Sequence, residues 1–207
     1  ACVIRGAGVP VKDNFIPKKE SKITTITLVA RMLKDKGVNE FVAAARKLKE
    51  NKIKCRFLLV GDVDPLNPSS LNKKTLIEWN KEKVINWLGW LNNVESVLKE
   101  TEILCLPSYR EGLPKALIEG AALGLPIITT DTVGCRDVVK DGLNGFLVPI
   151  KNIDELANKI FKLIKSKILR EKMGKESYKI ALSKFESSII INQTLKVYDE
   201  LYFNISL

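Results

Sequence analysis

Two cations, Arg31 and Lys36, bracket the segment Arg31-Met32-Leu33-Lys34-Asp35-Lys36-Gly37, which follows an apolar run. A diphosphate placed there would meet a fixed guanidinium, a mobile ammonium and the free N–H groups of a helix start. An ordinary basic loop between strand and helix has the same spacing, so the segment alone does not decide. Further on stands Pro107-Ser108-Tyr109-Arg110-Glu111-Gly112-Leu113-Pro114-Lys115-Ala116-Leu117-Ile118-Glu119. Gly112, Leu113 and the start of the Pro114 helix make a tight turn whose amides can face an anion, with Glu111 just before it. Glu119 lies inside the following helix among small and apolar neighbours. A carboxylate there needs partners, and the adjacent hydroxyls of a ribose would supply them. The alternative is an i,i+4 pair with Lys115, in the weaker Lys-first orientation, worth a few tenths of a kcal/mol.

Weaker signals surround these two. Gly61, before Asp62, closes an apolar run and lets a backbone turn sharply or approach a ligand. Asp131 and Arg136, in Thr129-Thr130-Asp131-Thr132-Val133-Gly134-Cys135-Arg136-Asp137, either face the same cleft or cap the next helix. Asp141-Gly142-Leu143-Asn144-Gly145 reads as a turn into a strand.

The elements that must position these residues alternate. Apolar, branched runs at Ile23–Ala30, Cys55–Val60, Val84–Leu88, Ile103–Leu106, Pro126–Thr129 and Gly145–Val148 read as strands. Helices are expected at Val38–Glu50, from Ser69 as cap through Asn80, and at Val94–Glu100, Pro114–Leu123, Ile153–Ile164, Lys167–Lys184 and Glu186–Tyr202. In the first, Phe41, Val42, Ala45 and Leu48 recur at three- and four-residue steps, as one buried face requires. Nearly continuous apolar strands between helices indicate an α/β fold with a parallel sheet covered on both faces. Such sheets bind ligands beyond the carboxyl ends of their strands, where the segments above fall.

Composition limits the remaining options. With 207 residues, 45% of them hydrophobic, the chain can bury a core. No run approaches the ~20 apolar residues of a membrane span, and residues 1–10 lack the pattern of a signal peptide. The chain opens without Met and reads as a fragment. Cys2, Cys55, Cys105 and Cys135 form no C-x-x-C pair, and there is no His to complete a zinc site. Cys55 and Cys105 sit in strand-like runs as small hydrophobes, which points to a reducing, cytoplasmic compartment. The net charge of +10 is concentrated late, from Lys159 to Lys184. Solvated basic helix faces account for it. An anionic membrane surface is the functional alternative, with the chain then peripheral on the inner face of the plasma membrane. Nucleic acid is disfavoured because no aromatic platform is interleaved with the lysines.

In their order, Arg31 with Lys36, Leu106-Pro107-Ser108, Glu111-Gly112-Leu113-Pro114, the Glu-x7-Glu pair Glu111/Glu119, Gly124-Leu125-Pro126 and Asn144-Gly145-Phe146-Leu147-Val148 resemble the donor domain of retaining glycosyltransferase family 4, of GT-B fold. The resemblance runs from about Ile4 to the end. Asp62 with Asn67-Pro68, and Gly134-Cys135-Arg136, look like enzymes that build lipid-linked surface polysaccharides such as capsule and O-antigen. It implies a Rossmann-like sheet forming the C-terminal half of a GT-B enzyme. In that picture residues 1–11 are an interdomain linker, 12–185 the donor domain, and 186–207 a helix returning to an N-terminal domain this chain lacks. The donor would be a nucleotide sugar, most simply UDP-linked, used without metal or cofactor and with retention of configuration. The resemblance places Arg31 and Lys36 on the diphosphate and Glu111 at the transferred sugar. It places Gly112 and Leu113 at sugar or phosphate, Glu119 on the ribose, and Gly89 and Trp90 near the base, with Gly61 and Pro114 also among the donor-binding residues. The acceptor, a glycan or lipid-linked sugar, would bind through the missing domain, so the fragment alone is expected to be inactive and prone to associate. Two other readings are a basic lipid- or nucleic-acid-binding module without sugar-nucleotide activity, and half of a sugar-nucleotide epimerase. The Glu-x7-Glu spacing argues against the epimerase.

Overall fold

Six apolar segments pair side by side into one parallel sheet: β1 (Thr24–Val29), β2 (Cys55–Val60), β3 (Asn86–Trp87), β4 (Ile103–Leu106), β5 (Ile127–Thr130) and β6 (Gly145–Val148). The computed structural model describes residues 4, 6–12, 14–15 and 21–205, the last three in backbone only. Cys2, residues 1–3 and 5 of the expected linker, and the last two residues lie outside that set. The strand order is β3-β2-β1-β4-β5-β6. β1 is flanked by β2, with Ile26 opposite Phe57, and by β4, with Ile26 opposite Ile103. β4 and β5 are buried throughout, as a sheet covered on both faces requires.

The helices are α1 (Val38–Glu50), α2 (Lys73–Lys81), α3 (Val94–Lys99), α4 (Lys115–Ala122), α5 (Val133–Val138), α6 (Ile153–Lys165), α7 (Lys167–Lys184) and α8 (Ser187–Ile205). α1 buries Phe41, Val42, Ala45 and Leu48 and packs beside α6, while α4 packs beside α7. Most expected elements stand within a residue or two.

Four differences have local causes. The third strand shrinks to two residues, because Val84 N donates to Trp79 O and closes the end of α2. Asn72, not Ser69, caps α2, accepting from Lys74 N at 2.8 Å. The Ser69 hydroxyl instead donates to Asp35 Oδ1 at 2.8 Å. Pro114 is the cap of α4, in extended backbone, and not its first helical residue. Finally, α5 forms where the sequence offered only a possible helix start. It is short and carries Gly134, a poor helix former. A Cβ there would lie 2.1 Å from Gly112 O, so the glycine lets α5 seat against the loop after β4.

Val9 and Lys12 meet α7 and the start of α8. Val9 N donates to Phe185 O at 2.8 Å and Ser187 N to Val9 O at 3.1 Å, while Tyr178 Oη donates to Lys12 O at 2.6 Å. Beyond that junction α8 leaves Ile191, Leu195, Tyr198, Leu201 and Tyr202 exposed. Their three- and four-residue steps put them on one helix face. The late lysines are partly balanced: Lys159, Lys167 and Lys179 pair with Glu155, Glu171 and Glu176. Arg170 donates to the Leu163 and Ile164 carbonyls that end α6. Among the described residues no helix is long and apolar enough to cross a membrane.

Candidate functional site

The order β3-β2-β1-β4-β5-β6 reverses direction between β1 and β4. The crossovers leaving those two strands diverge and open a crevice at their carboxyl ends, where open α/β sheets take ligands. The loops after β1 and β4 carry the two basic and acidic segments singled out above.

These loops are stapled together. Tyr109 N donates to Asp35 O at 2.8 Å, and the Ser108 hydroxyl reaches the same carbonyl at 3.0 Å. Gly37, at φ 70°, ends a single 3-10 turn over Lys34–Lys36. A Cβ on Gly37 would lie 2.0 Å from Pro107 O, so only glycine admits this approach. Thr130 Oγ1 donates to Ser108 O and ties in the β5 end.

At the crevice Lys36 Nζ donates to Glu111 Oε1 at 2.7 Å, with the two side chains only 22% and 10% exposed. A cation and an acid 75 positions apart in sequence thus meet at the switch point. Arg31 pairs instead with Asp64, at 2.7 Å, and stays 61% exposed. Gly61 N donates to Gly89 O at 2.7 Å, and Trp87 Nε1 to Gly61 O at 2.8 Å. The ends of β2 and β3 are therefore joined, with Trp90 on the surface at 67% exposure. Among the described residues nothing lies within 4 Å of a Cβ built on Gly112. Packing within the chain does not demand glycine there, which leaves room for a ligand's approach. The Leu113 side chain packs against the core while the turn leads into Pro114.

Glu119 is placed differently from Lys36 and Glu111. It is 34% exposed, lies 3.6 Å from Lys115 Nζ, and lines a cavity of about 1020 Å³ with Asn92, Asn93, Val11 and Phe15. Arg31, Lys36 and Glu111 do not line that cavity. Both sequence readings of Glu119 therefore coexist, since a long ion pair leaves it facing open space. Asp131 and Arg136 pair with each other at 2.9 Å, at the start of α5.

Sequence reasoning missed Asp35, Asp64, Ser108, Tyr109 and Glu40, the last accepting from Tyr109 Oη at 2.6 Å. Ser108 and Tyr109 sit inside the informative segment. Glu40 gave only the signal of an acid in a first helical turn. Burial, then the hydrogen bond and charge of Glu40, push the Tyr109 phenol well above its ordinary range, so its hydroxyl stays a donor. Burial likewise pushes up the thiols of Cys105 and, to about 11, Cys55, consistent with cysteines that serve as small hydrophobes. Among the described residues no cluster of three His, Cys, Asp or Glu is placed to hold a metal.

Residues 11–180 match the glycosyl transferases group 1 family. The chain belongs to that family. Over 99% of its length it is 32% identical to the N,N'-diacetylbacillosaminyl-diphospho-undecaprenol α-1,3-N-acetylgalactosaminyltransferase of Campylobacter jejuni, of which the match covers 55%. It is 28% identical over 91% of its length to the capsular polysaccharide biosynthesis glycosyltransferase CapM of Staphylococcus aureus, covering 47% of it. The chain thus spans about half the length of the curated relatives it matches. The fold is shared with S. aureus TarM solved with UDP, at a TM-score of 0.78, 20% identity, 91% of this chain and 38% of that one. It is also shared with Anabaena HepE solved with UDP, at 0.77, 20% identity, 86% and 49%. In this group 1 glycosyltransferase chain, Lys36 and Glu111 pair between the loops that follow β1 and β4.

Proposed function

We propose that this chain is the donor-binding half of a retaining glycosyltransferase, which takes a UDP-sugar and passes the sugar to a glycan or lipid-linked acceptor in surface polysaccharide synthesis. The observation that carries the reading is the Lys36–Glu111 pair, formed where the sheet reverses its strand order.

Lys36 and Arg31 bind the donor diphosphate. As the bond to the sugar breaks, negative charge grows on the departing phosphate oxygen, and the two cations, having turned to the donor when it bound, stabilise it there. Arg31 exchanges Asp64 for phosphate, which is easy because the side chain is already half in water. Glu111, freed when Lys36 turns to the phosphate, contacts the transferred sugar. Gly112 and Leu113 offer amides at the turn into the Pro114-capped helix, and Glu119 holds the ribose hydroxyls. Gly61, Gly89 and Trp90 line the side where the base lies. The acceptor comes through the remainder of the whole protein; residues 1–11 act as the linker into the 12–185 domain, and the exposed apolar stripe of α8 is the face that packs on that remainder. The same lipid-linked chemistry suits a cytoplasmic protein held peripherally at the inner face of the plasma membrane.

The test is two-dimensional NMR of the chain with UDP and UDP-sugars at millimolar concentration. Shifts are expected at residues 31–37, 61, 89–90 and 111–119, and Arg31→Ala or Glu119→Ala should remove them. No change in any of these resonances at that concentration would sink the proposal.

A further inference from the structure

Tyr109, in the loop after β4, touches both α1 and the turn before α6, yet nothing in the donor chemistry above uses it. Its hydroxyl donates to Glu40 Oε1 at 2.6 Å, in the first turn of α1. Its amide holds Asp35 O. The Lys151 ammonium, from the turn before α6, lies 5.0 Å over its ring. Lys151 itself sits at φ 62°, a left-handed conformation uncommon for a side-chain-bearing residue. Glu40 is only 9% exposed, and its other oxygen, Oε2, is buried without a hydrogen-bond partner among the described residues. A carboxylate half satisfied in so dry a place is costly to keep. A packed apolar residue would hold α1 against the loop more cheaply, unless the phenol's direction matters.

We propose that Tyr109 and Glu40 are a positioning pair, which sets the loop bearing Glu111, Gly112 and Leu113 at the distance and angle that let it share a diphosphate with Lys36. Two positions separate Tyr109 from Glu111, and four separate Lys36 from Glu40. The pair therefore fixes both loops just behind the point where they meet. The Ser108 hydroxyl and the Tyr109 amide, both donating to Asp35 O, set the loop's root, and the phenol supplies the third, off-axis constraint against rotation.

This inference rests on the donor-site reading, so the experiment separates the two. Tyr109→Phe alone strands a buried carboxylate and risks misfolding. The informative variant is Tyr109→Phe/Glu40→Met, which removes both polar groups and keeps the volume. Its thermal midpoint is expected within about 3 °C of the parent's. In the ligand-free double variant, backbone order parameters of Glu111 and Gly112 are expected to fall from about 0.85 to below about 0.6. Its UDP affinity by calorimetry is expected to fall about tenfold. Glu40→Gln keeps the acceptor and is expected to restore both values. Unchanged order parameters in the double variant overturn the pair's role. So does loosening of the loop with UDP affinity equal to the parent's. If the parent chain itself binds no UDP, the donor-site reading fails, and the order parameters alone then judge whether the pair positions the loop.

Discussion

Replacing Glu111 by Gln should tighten the binding of UDP, although Glu111 is proposed as part of the site. In the ligand-free chain Lys36 Nζ already has a partner, the Glu111 carboxylate at 2.7 Å. At that separation and an effective dielectric near 20, the gross attraction is about 6 kcal/mol. Most of it offsets the desolvation of two groups that are 22% and 10% exposed. A diphosphate must compete with that carboxylate for the ammonium and also tolerate its charge. Removing the charge while keeping the shape leaves Lys36 free for phosphate, a gain of about 1 kcal/mol or roughly fivefold in Kd. Lys36→Met acts in the opposite direction. It should weaken UDP by about 2 kcal/mol, near thirtyfold. It should also lower stability by about 2–3 kcal/mol, because a nearly buried carboxylate loses its cation. Calorimetry with UDP and with a UDP-sugar separates these effects. The Glu111→Gln gain is expected for UDP and should shrink or reverse for the sugar nucleotide, whose sugar loses its contact. Equal weakening of UDP by both substitutions would refute the assignment of the diphosphate to Lys36.

Three further outcomes are expected. Gly134→Ala places a Cβ 2.1 Å from Gly112 O, so it should cost about 1–3 kcal/mol in urea unfolding and shift the Gly112 amide; a stability equal to the parent's would contradict the close seating of α5. The Cys55 thiol is raised from 9.0 to about 11 by burial, so the folded chain holds that proton more tightly than the unfolded one. Its contribution is intact below pH 9 and lost as pH rises through 11, and the stability difference between parent and Cys55→Ala should drift in that sense across the window. Leu195→Lys/Tyr198→Lys on the exposed stripe of α8 should lower self-association of the isolated chain in analytical ultracentrifugation while leaving its melting temperature nearly unchanged; unaltered sedimentation would mean the stripe is not the sticky surface.

Much of the architecture was legible because it depends on local periodicity. Runs such as Ile103–Leu106 are apolar at every position, and α1 repeats its apolar residues at helical steps, so element types and a covered parallel sheet followed from residue order. The failures were at elements whose form depends on distant neighbours. α5 is short and glycine-bearing, and it exists because the loop after β4 offers its seat. Ser69 looks like a cap, yet its hydroxyl goes to Asp35, in a loop 34 positions away.

The site divides in the same way. Arg31, Lys36, Glu111 and Glu119 were singled out by type and spacing, since charge beside a glycine turn or inside an apolar helix is visible in the linear chain. That Lys36 meets Glu111, that Arg31 turns to Asp64, and that Glu119 faces a different cavity were decided by tertiary structure alone. Sequence specifies which groups each loop presents. Which of them share a partner depends on strand order and loop contacts, such as Gly37 against Pro107, which bring together residues that no local pattern relates.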